Sequence, residues 1–219
     1  MDIISEYFIN TAHVPEEALI FLLMLPVIAT LVVLARHIIG IKSFGLYIPI
    51  IATYSLAYLG LKVGIALTIY LALIGIITRV TISRFRIHYV SRLSLVICIS
   101  TLASLSFIFV LSLFDTSQTY ARQDALAIIL VVSFCETFIS TQIQKGVRTA
   151  GYLFLETMLI AVIGSLLLKW NFMRELVLEF PYIIIVTIII NIFMGKWKGL
   201  RLFEIWRFRT VKKTSSKKI

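Results

Sequence analysis

The sequence of 219 residues is poor in the residue types that usually carry chemistry, with two cysteines, three histidines and 11 acidic residues. Cys98 and Cys135 both fall within apolar stretches, which argues against a disulfide framework and against paired metal ligands, so we expect both to be packing residues. The zinc motif H-E-x-x-H, the glycine-rich phosphate loops and the nucleophile motif G-x-S-x-G are also missing. The composition therefore argues against an enzyme, and we expect no cofactor and no metal.

Apolar sequence is abundant, because 60% of the residues are hydrophobic and only 15% are charged. A membrane span needs roughly 20 apolar residues to cross a hydrocarbon core of about 30 Å. The pattern predicts an all-α membrane protein, a bundle of seven transmembrane helices within residues 15–195, preceded by a short acidic leader (1–14) and followed by a basic aromatic tail (196–219). The expected spans, of which the first, second and last are short, are 18–35, 44–60, 64–80, 93–114, 125–144, 149–169 and 181–195.

The basic residues predict the orientation of this bundle. Of the 21 Lys and Arg residues, 17 lie after odd-numbered spans or in the tail, and four lie on the other side: Lys62, Arg122, Lys169 and Arg174. The positive-inside rule then places the N-terminus outside and the C-terminus in the cytoplasm. The formal net charge of +10 is thus a signal of topology and of contact with anionic lipids at the cytoplasmic face, and we expect no nucleic-acid partner.

Two carboxylates lie within expected spans, Glu136 in the fifth and Glu156 in the sixth. Counted from the cytoplasmic ends of these helices, they lie about 12 and about 10 Å deep, nearly at the same level. Ionisable residues at such depth are costly and usually face the bundle interior. Three interpretations stay open: hydrogen bonding between helices, proton or cation handling, and contact with a substrate. A polar stripe accompanies Glu136 along the fifth span and consists of Ser133, Thr137, Ser140 and Gln144. In the seventh span, Asn191 could complete a polar interior.

A compact basic motif lies between the first and second spans. It could bind a phosphate or a carboxylate, although basic residues beside span ends mostly determine topology and contact lipid head groups. We expect its histidine to form hydrogen bonds at the interface rather than to act as a catalyst. The residues of this motif are Arg36, His37, Gly40, Lys42, Phe44 and Gly45.

The tail begins with an aromatic and basic segment that predicts either a short helix lying in the inner head-group layer or a docking segment for a cytoplasmic partner. Its apolar residues Leu202, Phe203 and Trp206 fall on one helical face, with basic residues opposite. The candidate docking residues are Lys198, Arg201, Trp206, Arg207 and Arg209.

Four segments resemble a bacterial family of seven-helix membrane domains usually fused to an inactive transglutaminase-like domain on the extracytoplasmic side. ARHIIGIKSFGLYIPIIA from Ala35 to Ala52 resembles the family signature, and the segment from Val14 to His37 resembles its first span. CETF from Cys135 to Phe138 is similar to an E-R-F element, with Thr137 in place of the Arg that could pair with Glu136. KGLRLFEIWRFR from Lys198 resembles the closing motif.

This resemblance implies a membrane domain in the bacterial inner membrane that works with a transglutaminase-like protein. Because only about a dozen residues precede the first span, we expect that either a separate chain supplies this domain or this member works without it. By analogy it also implies an ATP-grasp ligase-like partner in the cytoplasm. We therefore expect a non-enzymatic module that anchors or couples these partners in a cell-envelope or peptide-modification pathway. The alternative is a small transporter or flippase component that uses Glu136 and Glu156.

Overall fold

The structure is a computed structural model that describes residues 15–83, 88–114 and 125–196, and all regular structure within these residues is helical. It divides into two compact units: a terminal unit, Met1–Lys42 with Leu167–Ile219, and a central unit, Ser43–Leu166. The helices are α1 (Glu16–Leu34), extended by a π-helical turn (Ala35–Ile39), α2 (Tyr47–Leu59), α3 (Leu61–Ser83), α4 (Tyr89–Phe114), α5 (Ala125–Lys145), α6 (Val147–Lys169), α7 (Asn171–Glu179) and α8 (Ile183–Lys196).

Five described helices are long and apolar enough to cross a membrane, namely α1 with its π-helical turn, α3, α4, α5 and α6. Helices α7 and α8 would form a sixth, broken span, bent by 101°. Helix α2 has 13 residues. At 1.5 Å per residue such a helix covers about 20 Å, less than a hydrocarbon core of about 30 Å. By length and composition the described residues therefore hold five or six spans, and the expected count of seven is not confirmed.

Single glycines join two helix pairs of the central unit. Gly60 between α2 and α3 has φ +82°, and Gly146 between α5 and α6 has φ +86°, a backbone conformation that side chains with a Cβ rarely adopt. Each glycine also starts the helix that follows, since the N–H groups of Gly64 and Ala150 donate to the carbonyls of Gly60 and Gly146. These tight reversals hold consecutive helices side by side.

Helix α5 packs against α2, α3 and α4 in the central unit. Its buried face carries Val131, Phe134, Cys135 and Phe138. Val96, near the start of α4, packs with Ile139, near the end of α5. Farther along, Ala103 of α4 joins the cluster that contains Val131 and Cys135. Helices α4 and α5 therefore run antiparallel, with the start of α4 beside the end of α5.

The terminal unit pairs α1 with α8, and α7 also contacts α1. A side-chain hydrogen bond joins the two long helices, because the Asn191 amide donates to Oγ1 of Thr30 at 2.8 Å. Thr30 in turn donates to the carbonyl of Pro26 at 2.8 Å. Side-chain hydrogen bonds between helices are common in membrane bundles. Asn191 is thus a contact between helices within this unit.

The outward face of α4 is strongly apolar. Leu102, Phe109 and Leu113 are 67%, 65% and 69% exposed. A contiguous surface of this kind is unfavourable in water and suits the acyl chains of a bilayer. The long apolar helices and their exposed apolar side chains together define a multi-pass membrane protein.

Candidate functional site

A partly open cavity of about 140 Å³ lies between α4 and α5 in the central unit. Its polar lining comes from Arg92 of α4 and from Glu136, Ser140 and Gln144 of α5. These three α5 residues share one helical face because they recur at spacings of four residues. The apolar part of the lining is formed by Leu93, Val96, Ile139 and Ile143.

Glu136 and Arg92 enter the cavity from different levels. Arg92 lies in the first turn of α4, whereas Glu136 lies nine residues before the end of α5, or roughly 13 Å along the helix axis. Since these helix ends lie side by side, Arg92 lies nearer the end of the helix bundle than Glu136 does. A site with opposite charges at two levels can orient a dipolar ligand.

The sequence analysis missed Arg92 as a companion of Glu136. Arg92 is one of the 17 basic residues that predict the orientation of the bundle, and Thr137 stands where an Arg could pair with Glu136. The structure brings a cation to the same cavity from the neighbouring helix instead. Arg92 and Val96 are four residues apart on α4, so a predicted α4–α5 contact at Val96 would have been the one signal able to place Arg92 there.

The rest of the polar stripe of α5 is half-exposed, and the fully buried face of the helix is the other one. The Thr137 hydroxyl donates to the carbonyl of Ser133 at 3.2 Å. The Gln144 amide donates to Oγ of Ser140 at 3.2 Å. The stripe thus satisfies much of its polarity within its own helix, while Ser140 and Gln144 present their remaining polar atoms at the cavity.

Glu156 does not line this cavity. Both glutamates lie ten residues from Gly146, on opposite sides of that turn. At 1.5 Å per residue this corresponds to roughly 15 Å along each helix. Glu156 is half-buried and interacts within the protein.

The motif residue Phe44 lies in the interior of the central unit rather than at its surface. Its ring packs edge-on against Phe134 and Phe138, with centroids 6.1 and 6.5 Å apart. Its backbone N–H donates to Oγ1 of Thr157 at 3.2 Å, in a fully buried hydrogen bond. Thr157 lies 11 residues after the Gly146 turn, so Phe44 reaches roughly 16 Å into the helix bundle.

This deep entry explains why α2 is short. Ser43 to Leu46 form a turn within the bundle. In this turn the Gly45 N–H donates to the Ser43 carbonyl, and the Ser43 hydroxyl donates to the Gly45 carbonyl. Gly45 has φ +67°, which favours glycine. The expected second span therefore begins with a buried turn, and regular helix starts only at Tyr47.

The basic half of the motif belongs to the terminal unit. Arg36 and His37 are exposed in the π-helical turn that ends α1, and Gly40, with φ +91°, caps it. Nδ1 of His37 donates to the carbonyl of Val33 at 3.0 Å, one turn earlier. Lys42 is exposed as well. His37 is thus a hydrogen-bonding residue of a helix end, as expected, and these cations remain accessible to an anionic surface.

Gln142 is a polar residue that the sequence analysis did not single out. It is fully buried in α5, and both atoms of its side-chain amide have no hydrogen-bond partner within the described residues. An unsatisfied buried polar group costs about 1–3 kcal/mol. The sequence offers no signal for it, since its neighbour Gln144 is equally polar and only the packing of α5 decides which of the two is buried.

The acidic leader lies outside the described residues. So do the candidate docking residues of the tail, Lys198, Arg201, Trp206, Arg207 and Arg209. Within residues 15–83, 88–114 and 125–196, no cluster of three or more His, Cys, Asp or Glu residues could hold a metal ion. The described residues thus form a helical membrane protein whose central unit contains a small cavity lined by charged residues.

Residues 4–212 match the family described as seven transmembrane helices usually fused to an inactive transglutaminase. The match covers nearly the whole chain, so the protein belongs to this family, and the resemblance seen in the sequence is confirmed. No curated protein and no solved structure matches the chain.

Proposed function

We propose that the protein is a non-enzymatic integral membrane module that anchors or couples partner proteins in a cell-envelope or peptide-modification pathway. Family membership carries this proposal, because the family's helical domain is usually fused to an inactive transglutaminase. Because the fused transglutaminase is inactive, we infer that family members bind and position other proteins at the membrane and do not catalyse a reaction. The partners are a transglutaminase-like protein outside and an ATP-grasp ligase-like enzyme inside, at a bacterial inner membrane.

The proposed orientation has an outside N-terminus and a cytoplasmic C-terminus across seven crossings, with α2 serving as a short one. The central unit supports it, because four described cations lie at the end where α4 and α6 begin, namely Arg79, Arg92, Lys145 and Arg148. Only Lys62 lies at its other end among the described residues. Such an imbalance is typical of a cytoplasmic side.

In this orientation α7 lies at the extracytoplasmic surface. Its helix is strongly amphipathic, with Val177 and Leu178 buried and with Asn171, Glu175 and Glu179 exposed. Trp170, which precedes it, packs on Phe172 with ring centroids 5.9 Å apart, and such aromatic pairs are common at membrane interfaces. The exposed polar face of α7 offers an outer contact surface for the transglutaminase-like partner.

The cytoplasmic contact is assigned to the aromatic and basic tail, and two truncations test it. Ending the chain after Met194 removes the whole tail, whereas ending it after Arg209 removes only TVKKTSSKKI and keeps the closing motif. We expect the shorter protein to lose an ATP-grasp ligase-like partner in co-purification and the longer one to keep it. Wild-type recovery of that partner by both proteins would contradict the assignment and favour a tail that lies on the membrane surface.

A second function, a small transporter or flippase component, is favoured by the cavity that contains Glu136. In this hypothesis a carboxylate within the membrane binds and releases protons or cations. Replacing Glu136 or Glu156 with Gln should then abolish flux of the transported solute in reconstituted vesicles while leaving the membrane level of the protein unchanged. Unaltered flux in both variants would exclude these carboxylates from transport.

A further inference from the structure

We propose that the cavity between α4 and α5 binds a small zwitterionic solute, an α-amino acid or a molecule of similar compactness. Glu136 would bind its ammonium group and Arg92 its carboxylate. Such a site goes beyond partner coupling, and binding by itself requires neither coupling nor transport.

The volume of the cavity sets the size of the ligand. It holds about 140 Å³. A cavity of about 150 Å³ in another protein accommodates benzene, a ring of six carbon atoms. A solute of about six non-hydrogen atoms therefore fits, and L-alanine has that number. Because the cavity is partly open, a larger side chain would extend out of it.

The order of the charges separates a solute from a membrane lipid. Glu136 lies farther from the end of the helix bundle than Arg92 does, and both line the cavity. In phosphatidylethanolamine the ammonium group lies outside the phosphate, so a lipid of the adjacent leaflet would present its charges in the opposite order. A free zwitterion is not tied to the leaflet and can place its ammonium group at Glu136 and its carboxylate at Arg92.

The remaining groups of the cavity complement such a ligand. Because Gln144 donates through its amide nitrogen to Ser140 at 3.2 Å, the Ser140 hydroxyl hydrogen and the Gln144 carbonyl oxygen are directed to other partners. Val96 and Ile139 form an apolar wall, and a low local dielectric strengthens charge-assisted hydrogen bonds. Arg92 already interacts within the protein, and its five N–H donors allow it to bind a carboxylate as well.

The test is equilibrium binding of radiolabelled L-alanine to the full chain in nanodiscs of phosphatidylglycerol. Two competitors serve as probes of the charges: N-acetyl-L-alanine lacks the ammonium group, and L-alaninamide lacks the carboxylate. We expect saturable binding of L-alanine, with each competitor about tenfold weaker or more, because each loses one charge-assisted contact.

Variants assign the contacts. Glu136→Gln and Arg92→Gln should each lower the affinity for L-alanine by about tenfold or more, and Arg92→Lys should restore part of the loss because it keeps the charge. Glu175→Gln on α7 is the matched control and should bind as the wild type does. Ser140→Leu should abolish binding by filling the cavity. Each variant is compared only as a monodisperse protein with a cooperative thermal transition.

Absence of saturable L-alanine binding to the folded wild type would overturn the proposal, as would binding that Glu136→Gln and Ser140→Leu leave unchanged. A third result would identify a lipid instead. If native mass spectrometry finds phosphatidylethanolamine on the wild type but not on Glu136→Gln, and L-alanine does not bind, the site takes a head group and the solute is excluded. Partner co-purification is measured separately, so failure of this site leaves the coupling proposal intact.

Discussion

Replacing Thr157 with Val should destabilise the central unit by removing the acceptor for a buried backbone donor. Thr157 is 0% exposed, and its Oγ1 accepts from the N–H of Phe44 at 3.2 Å while donating to the Leu153 carbonyl at 2.7 Å. Val has nearly the same shape, so little packing changes, but the Phe44 N–H is left unsatisfied. That loss costs about 1–3 kcal/mol. The Leu153 carbonyl has a second lone pair and keeps its place in the helix.

Thr68→Val is the matched control. Thr68 is 2% exposed, and its hydroxyl donates only to the Gly64 carbonyl of its own helix at 2.7 Å. Equilibrium unfolding in mixed micelles of dodecyl maltoside and sodium dodecyl sulfate measures both variants. We expect Thr157→Val to lose about 1–3 kcal/mol of unfolding free energy, Thr68→Val well under 1 kcal/mol, and Thr157→Ser to lie near the control. Equal losses in the two Val variants would refute the role of the Phe44 contact in holding the turn inside the bundle.

Three further changes test packing by the same unfolding measurement. In Gly164→Ala the new Cβ would lie 2.7–2.8 Å from Thr53 side-chain atoms, and we expect a loss of about 1–3 kcal/mol of unfolding free energy. Gly151→Ala in the same helix is the control, because its new Cβ meets nothing within 4 Å and should be neutral or stabilising. Equal effects of the two substitutions would contradict the close α2–α6 contact. Asn191→Leu should lower the unfolding free energy by about 0.6–1.7 kcal/mol, because it removes the hydrogen bond to Thr30. An unchanged unfolding free energy would show that this hydrogen bond does not stabilise the protein. Gln142→Leu should be neutral or stabilising, because it removes two buried atoms without partners, and a loss above about 2 kcal/mol would reveal an unseen partner.

Hydropathy predicted the long helices well, but it did not distinguish a buried turn from the start of a helix. The expected spans at 93–114 and 149–169 lie within α4 and α6, because both helices are apolar throughout. The expected span at 44–60 is not confirmed, because regular helix starts only at Tyr47 and a window average treats an apolar residue in the protein core like one that faces lipid. Phe44 raises the window average, although its side chain is buried in an aromatic cluster and its backbone belongs to a turn.

The candidate site was predictable only in part for a related reason. The spacing of Glu136, Ser140 and Gln144 places them on one face of α5, and this follows from helical periodicity alone. Arg92 is more than 40 residues away in sequence, and its arrival at the same cavity depends on the packing of α4 on α5. The equal distances of Glu136 and Glu156 from Gly146 were likewise visible in the sequence, but rotation about each helix axis decides that only Glu136 lines the cavity.

Chemical crosslinking of the tagged protein in its native membranes, followed by gentle purification and quantitative mass spectrometry, tests the coupling function most directly. The account predicts a transglutaminase-like or an ATP-grasp ligase-like protein at near-stoichiometric yield, with crosslinks from the former to α7 and from the latter to the tail. A preparation that contains only this chain and lipid would contradict it.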